Sequence, residues 1–213
     1  MATSPLTLYI DARRSSPYAL SAFVSLTEKG LPFELVPVKL SAGEQFKPPY
    51  LKRSLTGKVP TLVHGDFSLA ESSAIDEYLE EVFSPPQYRA TYPRDRLDRA
   101  RARQVQAWLR SDLVALRTER TTDVIFFGSK FAPLTKQGRQ AAEALLYLTD
   151  ALLPAGSSHL FGDWCLADTE LALMLNRLVM HGDAVPDRLA KYAAAQWQRP
   201  SVQAWMKMER RNE

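Results

Sequence analysis

The sequence contains very little cysteine and histidine, and this scarcity excludes several kinds of site. Cys165 is the only cysteine among 213 residues, so neither an internal disulfide nor a cysteine-rich metal cluster can form. The three histidines, His64, His159 and His181, lie far apart along the chain and show no metal-ligand spacing. We therefore predict no metal site.

Long apolar runs and a strong net charge are also missing. No apolar stretch reaches the roughly 18 residues of a membrane-spanning helix, and the N-terminus MATSPLTLYI lacks the basic and apolar regions of a signal peptide. The net charge is only +3, and the basic residues between Arg94 and Arg103 are interleaved with acids, which favours a solvated helix face over a nucleic-acid surface. These absences predict a cytoplasmic protein that binds neither a membrane nor nucleic acid.

The first 83 residues show a regular order of strands and helices. Alternating apolar residues predict strands at 6–10 and 33–39, and two short runs around Gly65-Asp66 predict a hairpin of strands at 61–64 and 67–69. Apolar periodicity predicts helices at 17–29 and 71–83, with a weak, irregular helix at 43–52. This order predicts a thioredoxin-like α/β domain over residues 1–83.

The second half of the chain shows only helical patterns. Residues 84–93 are rich in proline and polar groups and read as a linker. An all-α domain is predicted over 94–213, with helices at 94–120, 136–153, 168–181, 190–197 and 201–210.

Two serines and a proline stand where the first strand meets the first helix. Ser15-Ser16-Pro17 can be a helix cap with proline in the first turn. The same place can also bind an anion, because a helix N-terminus leaves N–H groups unpaired and carries partial positive charge. A thiolate is such an anion, and a serine hydroxyl could donate a hydrogen bond to it. No histidine is near in sequence, so a hydrolase triad is not supported.

Two further junctions can also be either structural or ligand-binding. Pro60 in Lys58-Val59-Pro60 can be an ordinary trans proline that opens a strand, or a cis proline that turns the Val59 backbone toward a peptide-like ligand. Glu71-Ser72 can cap a helix or bind the ammonium and carboxylate of an amino acid. All three junctions fall at ends of elements that should converge.

Taken together, these motifs resemble the glutathione transferase family. The segments SSPY, GLPFE, TGKVPTLVHGD, LAESSAIDEYLEE and FGDWCLADTELAL follow the family's order across essentially the whole chain. The SSPYALSAFV opening is similar to the bacterial YfcF-type members. The resemblance implies a thioredoxin-like domain that binds glutathione, an all-helical domain that forms the acceptor pocket, and a homodimer.

The resemblance also assigns roles to individual residues. It implies that Ser16, or Ser15 one residue earlier, activates the glutathione thiol. For the rest of glutathione it implies Gln45 and Lys58 at the glycine carboxylate, Val59 and cis Pro60 at the cysteinyl part, and Glu71 and Ser72 at the γ-glutamyl group.

Less can be assigned in the helical half. Tyr18, Trp108, Ser111, Asp112 and Arg117 are candidates for the acceptor pocket, although Trp108 has the helical spacing of a core residue. The resemblance makes Asp168 the acid of a buried capping box. That box usually begins with serine or threonine, whereas Cys165 stands there in this chain, and we expect a buried structural thiol.

The function predicted from these residues is activation of the glutathione thiol toward a small hydrophobic electrophile or an organic hydroperoxide. Two alternatives stay open at this point: a non-catalytic partner-binding module that keeps the fold, and a glutathione-dependent isomerase. The isomerising members carry a cysteine in the turn that reads SSPY here.

Overall fold

The computed structural model describes residues 4–210, which form two compact units. The first unit runs to Thr91 and includes the chain again from Ala204, and the second covers Tyr92–Gln203. The first unit contains β1 (Leu6–Asp11), α1 (Pro17–Glu28), β2 (Phe33–Val38), a short 3₁₀ helix (Glu44–Phe46), α2 (Pro48–Leu51), β3 (Thr61–His64), β4 (Phe67–Ala70) and α3 (Ser72–Val82). The second contains α4 (Arg96–Ser111), α5 (Val114–Glu119), α6 (Asp123–Phe127), α7 (Lys136–Leu152), α8 (Leu166–Val179) and α9 (Asp187–Trp197), and α10 (Pro200–Met206) begins in the second unit and ends in the first.

The first unit is built on a four-stranded mixed sheet. The strand order is β2-β1-β3-β4, with β1 parallel to β2 and the other two pairs antiparallel. Every second residue of β1 points into the core, where Leu8 and Ile10 are at most 1% exposed. Helices α1 and α3 pack together, and their apolar faces are buried. The predicted thioredoxin-like α/β fold is confirmed.

The second unit is helical, and α8 forms its centre. Twelve of the fourteen α8 residues, from Leu166 to Leu178 with one exception, are buried, as the apolar run ELALMLNRLV predicts. The α8 helix packs against α4, α7 and α9. The predicted all-α architecture of the C-terminal half is confirmed.

The prediction of one long helix over residues 94–120 is wrong. Helix α4 ends at Ser111, and Leu113 has a φ of 56° before α5 begins at Val114. A left-handed residue cannot continue a right-handed helix, so the chain turns there. The structure also contains α6, whose five residues are too few to show a period in the sequence.

Two properties of the described residues bear on function. No helix within residues 4–210 is long and apolar enough to cross a membrane. Within the same residues, no group of three or more metal-binding side chains comes together.

Candidate functional site

The sheet register brings the three junctions to one edge of the first unit. Tyr9 of β1 pairs with Thr61, the first residue of β3, and Thr61 in turn pairs with Ala70, the last residue of β4. The end of β1, the start of β3 and the end of β4 therefore lie side by side. The segments that adjoin these ends are the Ser15-Ser16 turn, Val59-Pro60 and Glu71-Ser72, as the sequence predicts.

The turn between β1 and α1 is organised by a buried carboxylate. Asp11 is 4% exposed, and its Oδ2 accepts hydrogen bonds from the Ser15 backbone N–H at 2.7 Å and the Ser15 hydroxyl at 3.2 Å. The other oxygen, Oδ1, accepts the Ser16 backbone N–H at 3.1 Å. Both serines are thus held by a residue on the preceding strand.

Ser16 is the N-cap of α1. Its Oγ accepts the Ala19 backbone N–H at 3.2 Å, and Pro17 occupies the first helical position. The hydroxyl therefore uses a lone pair for the cap, and within residues 4–210 its proton has no acceptor. Ser16 can cap the helix and donate to a ligand at the same time, so the two interpretations of this motif are compatible.

The loop before β3 is fixed by hydrogen bonds from three hydroxyl groups to one backbone carbonyl oxygen. The Lys58 carbonyl accepts hydrogen bonds from Tyr50 Oη at 2.6 Å, Thr61 Oγ1 at 3.1 Å and Ser54 Oγ at 3.2 Å. Burial raises the pKa of the Tyr50 phenol, which keeps it protonated as a donor. The Val59–Pro60 bond is cis, in agreement with the resemblance. Among the residues that the structure describes, the Val59 backbone N–H and C=O have no hydrogen-bond partner.

Glu71 and Ser72 mark the start of α3. Glu71 is exposed and has a φ of 73°, a left-handed conformation that non-glycine residues rarely adopt and that is concentrated at functional sites. Ser72 is the first helical residue and is 4% exposed. The Glu71 side chain makes no capping bond to its own helix.

Gln45 lies beside the Lys58 loop. The backbone oxygen of Gln45 is 3.4 Å from the position that a Cβ would take at Gly57, the residue before Lys58. Gln45 Oε1 is buried and has no hydrogen-bond partner within residues 4–210. A buried polar atom in that state is one that a ligand or water would satisfy. Lys58 itself is exposed.

The residues predicted for an acceptor pocket are divided between the two units. Tyr18 belongs to the first unit and is 36% exposed at the start of α1. In the second unit, Ser111 and Asp112 are exposed at the end of α4, and Arg117 lies on α5. Trp108 is half-buried and lines a mainly apolar groove of about 420 Å³ between α4 and α7. Their role in substrate binding stays a prediction.

The capping box of α8 is present, and it is more extensive than the sequence indicates. Asp168 Oδ2 accepts the Cys165 backbone N–H at 3.0 Å, while Oδ1 accepts the Leu160 backbone N–H at 2.9 Å and the Tyr192 hydroxyl at 2.8 Å. Cys165 is 1% exposed, and burial raises the pKa of its thiol. Cys165 is therefore a buried thiol, as expected, and its raised pKa disfavours the reactive thiolate form.

Sequence reasoning missed the residues that support the site. The roles of Asp11, Tyr50, Ser54 and Thr61 depend on hydrogen-bond partners that a local sequence pattern does not indicate. One signal was available for Asp11: it follows the inward-facing Leu6, Leu8 and Ile10 at the end of an otherwise apolar strand, where an acid needs a partner.

Comparison with known proteins agrees with this geometry along nearly the whole chain. Residues 4–81 match the model of the glutathione S-transferase N-terminal domain, and residues 95–211 match that of the glutathione S-transferase C-terminal domain. The chain belongs to the glutathione S-transferase family. The first match falls on the α/β half of the chain and the second on the helical half.

Several individual glutathione S-transferases are similar to this chain. A crystal structure of a glutathione transferase homolog from Burkholderia, with bound glutathione, is 46% identical, covers 96% of this chain and 97% of that one, and has a TM-score of 0.79. A maleyl pyruvate isomerase, described as a bacterial glutathione S-transferase of the zeta class, is 26% identical over 93% of this chain and 95% of that one, with a TM-score of 0.72.

Curated relatives match over shorter stretches. Glutathione S-transferase F10 from Arabidopsis thaliana is 45% identical over 78 residues, which is 37% of this chain and 35% of the relative. Glutathione S-transferase theta-3 from Mus musculus is 33% identical over 132 residues, which is 60% of this chain and 53% of the relative. The chain thus matches about a third to a half of the length of these glutathione S-transferases.

Proposed function

We propose that this glutathione S-transferase binds glutathione at the converging edge of its first unit and ionises the glutathione thiol for attack on an electrophile. The observation that carries the proposal is the convergence of three ligand-competent junctions at one sheet edge. The Burkholderia homolog, 46% identical to this chain, was crystallised with glutathione, which supports the same ligand here.

Ser16 is the residue that we propose to activate the thiol. The Ser15 hydroxyl lies 3.2 Å from Asp11 Oδ2 and donates to it, so its proton is already used. The Ser16 hydroxyl accepts from Ala19 and keeps its own proton for the sulfur. A donor at a helix N-terminus favours the thiolate over the thiol, which lowers the pKa of bound glutathione toward neutral pH. The serine is a donor, and the nucleophile is the sulfur.

The other parts of glutathione would be recognised by the remaining junctions. Gln45 and Lys58 would bind the glycine carboxylate, and the unpaired Val59 backbone would pair with the cysteinyl part as an added strand does. The Glu71 carboxylate would bind the γ-glutamyl ammonium. The Ser72 hydroxyl and the N-terminus of α3 would bind its carboxylate.

We propose a small hydrophobic electrophile or an organic hydroperoxide as the acceptor substrate. Tyr18, Trp108, Ser111, Asp112 and Arg117 are the candidates for contacting it. A homodimer in the cytoplasm is the proposed setting. Catalysis would come from thiolate stabilisation and from proximity of the two substrates, and it requires no metal.

A binding assay followed by two turnover assays tests this function. We expect retention on immobilised glutathione, and glutathione-dependent turnover of chlorodinitrobenzene, cumene hydroperoxide or both. A protein that binds glutathione but turns over neither substrate would favour the partner-binding module instead. A protein that is not retained at all would contradict the proposal.

Replacing Ser16 with alanine should lower kcat by about 10- to 100-fold near neutral pH, because a hydrogen bond to a charged group contributes about 1.5–3 kcal/mol. The same change at Ser15 removes one of three hydrogen bonds to Asp11 and is expected to lower kcat by less than about threefold. Steady-state kinetics with saturating glutathione measure both effects. The reverse order, with Ser15 the more sensitive position, would move the role to Ser15.

Replacing Tyr50 with phenylalanine should raise the KM for glutathione by about threefold to tenfold, since a neutral hydrogen bond contributes roughly 0.5–1.5 kcal/mol. The change removes the shortest of the three hydrogen bonds to the Lys58 carbonyl and so loosens the loop that carries Val59. We expect kcat to stay within about twofold, because Tyr50 acts on binding and not on the sulfur. A large fall in kcat at unchanged KM would contradict this role.

The isomerase alternative is supported by the 26%-identical maleyl pyruvate isomerase. It is less favoured because the turn that would carry the reactive cysteine holds Ser15 and Ser16, and the one cysteine of the chain is buried in α8's capping box. Cis–trans isomerisation of a maleyl substrate at a rate above that of chlorodinitrobenzene conjugation would favour it.

A further inference from the structure

The strongest unassigned feature beside the proposed thiol site is the Asp11 carboxylate. It is 4% exposed and lies at the last position of β1, where its two oxygens accept three hydrogen bonds from Ser15 and Ser16. The Asp11 carbonyl also accepts the Arg14 backbone N–H at 3.0 Å, which closes the turn from the main chain. One residue thus holds the turn through both its side chain and its backbone.

These contacts leave Ser16 little freedom. Its backbone N–H is fixed by Asp11 Oδ1 on the strand side, and its Oγ is fixed by the Ala19 N–H on the helix side. The hydroxyl proton can then point only away from both contacts. The carboxylate also engages the Ser15 hydroxyl, so one of the two neighbouring serines is removed as a competing donor.

We propose that Asp11 is a positioning residue, which acts through Ser16 by holding the Ser16 hydroxyl at the place where it donates to the glutathione sulfur. The proposal rests on the proposed function, since it assigns a second residue to the same thiol site. This role requires no contact between Asp11 and the sulfur or the acceptor.

The charges around Asp11 make this role testable. A carboxylate near a thiolate disfavours the thiolate by repulsion, so an Asp11 that acted by charge alone would raise the pKa of the bound thiol. The charges of Asp11 and Arg14 both act on the Arg210 guanidinium, and the Arg14 guanidinium donates to the Glu209 carbonyl. Burial and the charge of Arg14 lower the pKa of Arg210, and the charge of Asp11 opposes that shift. Removing the negative charge of Asp11 would lower the pKa of the bound thiol, whereas displacing the Ser16 hydroxyl would raise it.

Asp11→Asn separates the two effects. The amide is the same size, but its nitrogen meets an N–H donor of the turn where a carboxylate oxygen stood. If position dominates, the pKa of the bound glutathione thiol should rise by about one unit and kcat near neutral pH should fall about tenfold, as for loss of one hydrogen bond to a charged group. The KM for glutathione should stay within about twofold, because the γ-glutamyl and glycine ends are held elsewhere.

A double-mutant cycle with Ser16→Ala provides the decisive comparison. If Asp11 acts through Ser16, Asp11→Asn should change kcat by less than about twofold in the Ser16→Ala background. The proposal would be overturned if the two substitutions lowered kcat independently, so that their effects multiply in the double variant. A bound thiol pKa that falls in Asp11→Asn would also overturn it. If Asp11→Asn does not fold, Asp11→Glu replaces it in the experiment. This variant keeps the charge but displaces the carboxylate, so the same rise in the pKa of the bound thiol is expected.

Asp76→Asn is the matched control for a buried aspartate in the same unit. Asp76 is 0% exposed and accepts the Ser21 hydroxyl at 2.9 Å between α3 and α1, away from the turn. This change should lower the melting temperature without moving the thiol pKa. Calorimetry of the parent protein with glutathione keeps the two proposals apart. No binding defeats the proposed function, whereas normal binding and turnover with an unaffected Asp11→Asn variant defeats the positioning role alone.

Discussion

Replacing Lys29 with methionine is expected to lower the free energy of unfolding by about 3 to 5 kcal/mol, the usual effect of removing one partner of a buried ion pair. The Lys29 Nζ donates to Glu80 Oε2 at 2.6 Å and to the carbonyls of Phe83 and Arg89 at 2.9 and 3.0 Å. The side chains of Lys29 and Glu80 are 0% and 3% exposed. The variant would leave a buried carboxylate without its cation and two carbonyls without a donor.

A neighbouring ion pair provides the control for Lys29. Arg89 pairs with Glu28 at 3.1 Å, and the Arg89 side chain is 61% exposed while that of Glu28 is 6% exposed. Because water reaches the Arg89 end of this pair, Arg89→Ala is expected to cost about 1 kcal/mol, less than Lys29→Met. Urea unfolding of the full chain measures both variants. A loss below 1 kcal/mol for Lys29→Met would show that the buried pair contributes little to holding the end of α1 against α3.

Replacing Asp168 with alanine is the second large effect, with an expected loss of about 3 to 5 kcal/mol because three donors lose their acceptor and each unsatisfied buried donor costs about 1–3 kcal/mol. Those donors are the Leu160 and Cys165 N–H groups and the Tyr192 hydroxyl, and Asp168 is 0% exposed. Burial raises the pKa of Asp168, and the three donors oppose that shift. The side chain joins the start of α8 to α9 and to the preceding loop.

Tyr192→Phe is the graded control for Asp168. It removes one of the three donors and leaves the two backbone bonds, so its expected cost is about 1 kcal/mol. Chemical unfolding followed by circular dichroism compares the two. An Asp168→Ala variant that is no less stable than Tyr192→Phe would mean that the box contributes little to the second unit.

Local pattern was sufficient for most of the fold. The strand at 6–10 and the helix at 17–29 are observed as Leu6–Asp11 and Pro17–Glu28, because alternation and helical period report burial directly. The break after α4 was not predictable in this way. Neither Asp112 nor Leu113 is glycine or proline, and the apolar stripe continues through Leu109, Leu113 and Leu116, which are all buried.

The ligand-binding candidates of the site were predictable from the sequence, but the residues that position them were not. Ser16, Pro60 and Glu71 follow from motifs at element ends, which the sheet register then brings together. The choice between Ser15 and Ser16 depends on which hydroxyl Asp11 engages, and adjacent serines look alike in sequence. Lys29 and Glu80 are 51 residues apart, so no local pattern indicates that they pair.

A spectrophotometric titration of glutathione bound to the parent protein and to Ser16→Ala tests the central claim most directly, because it follows the thiolate itself. The proposed activation predicts a bound thiol pKa at least about one unit below that of free glutathione in the parent protein, and a return toward the free value in Ser16→Ala. An unshifted thiol pKa in the parent protein, or the same lowered value in both proteins, would contradict it.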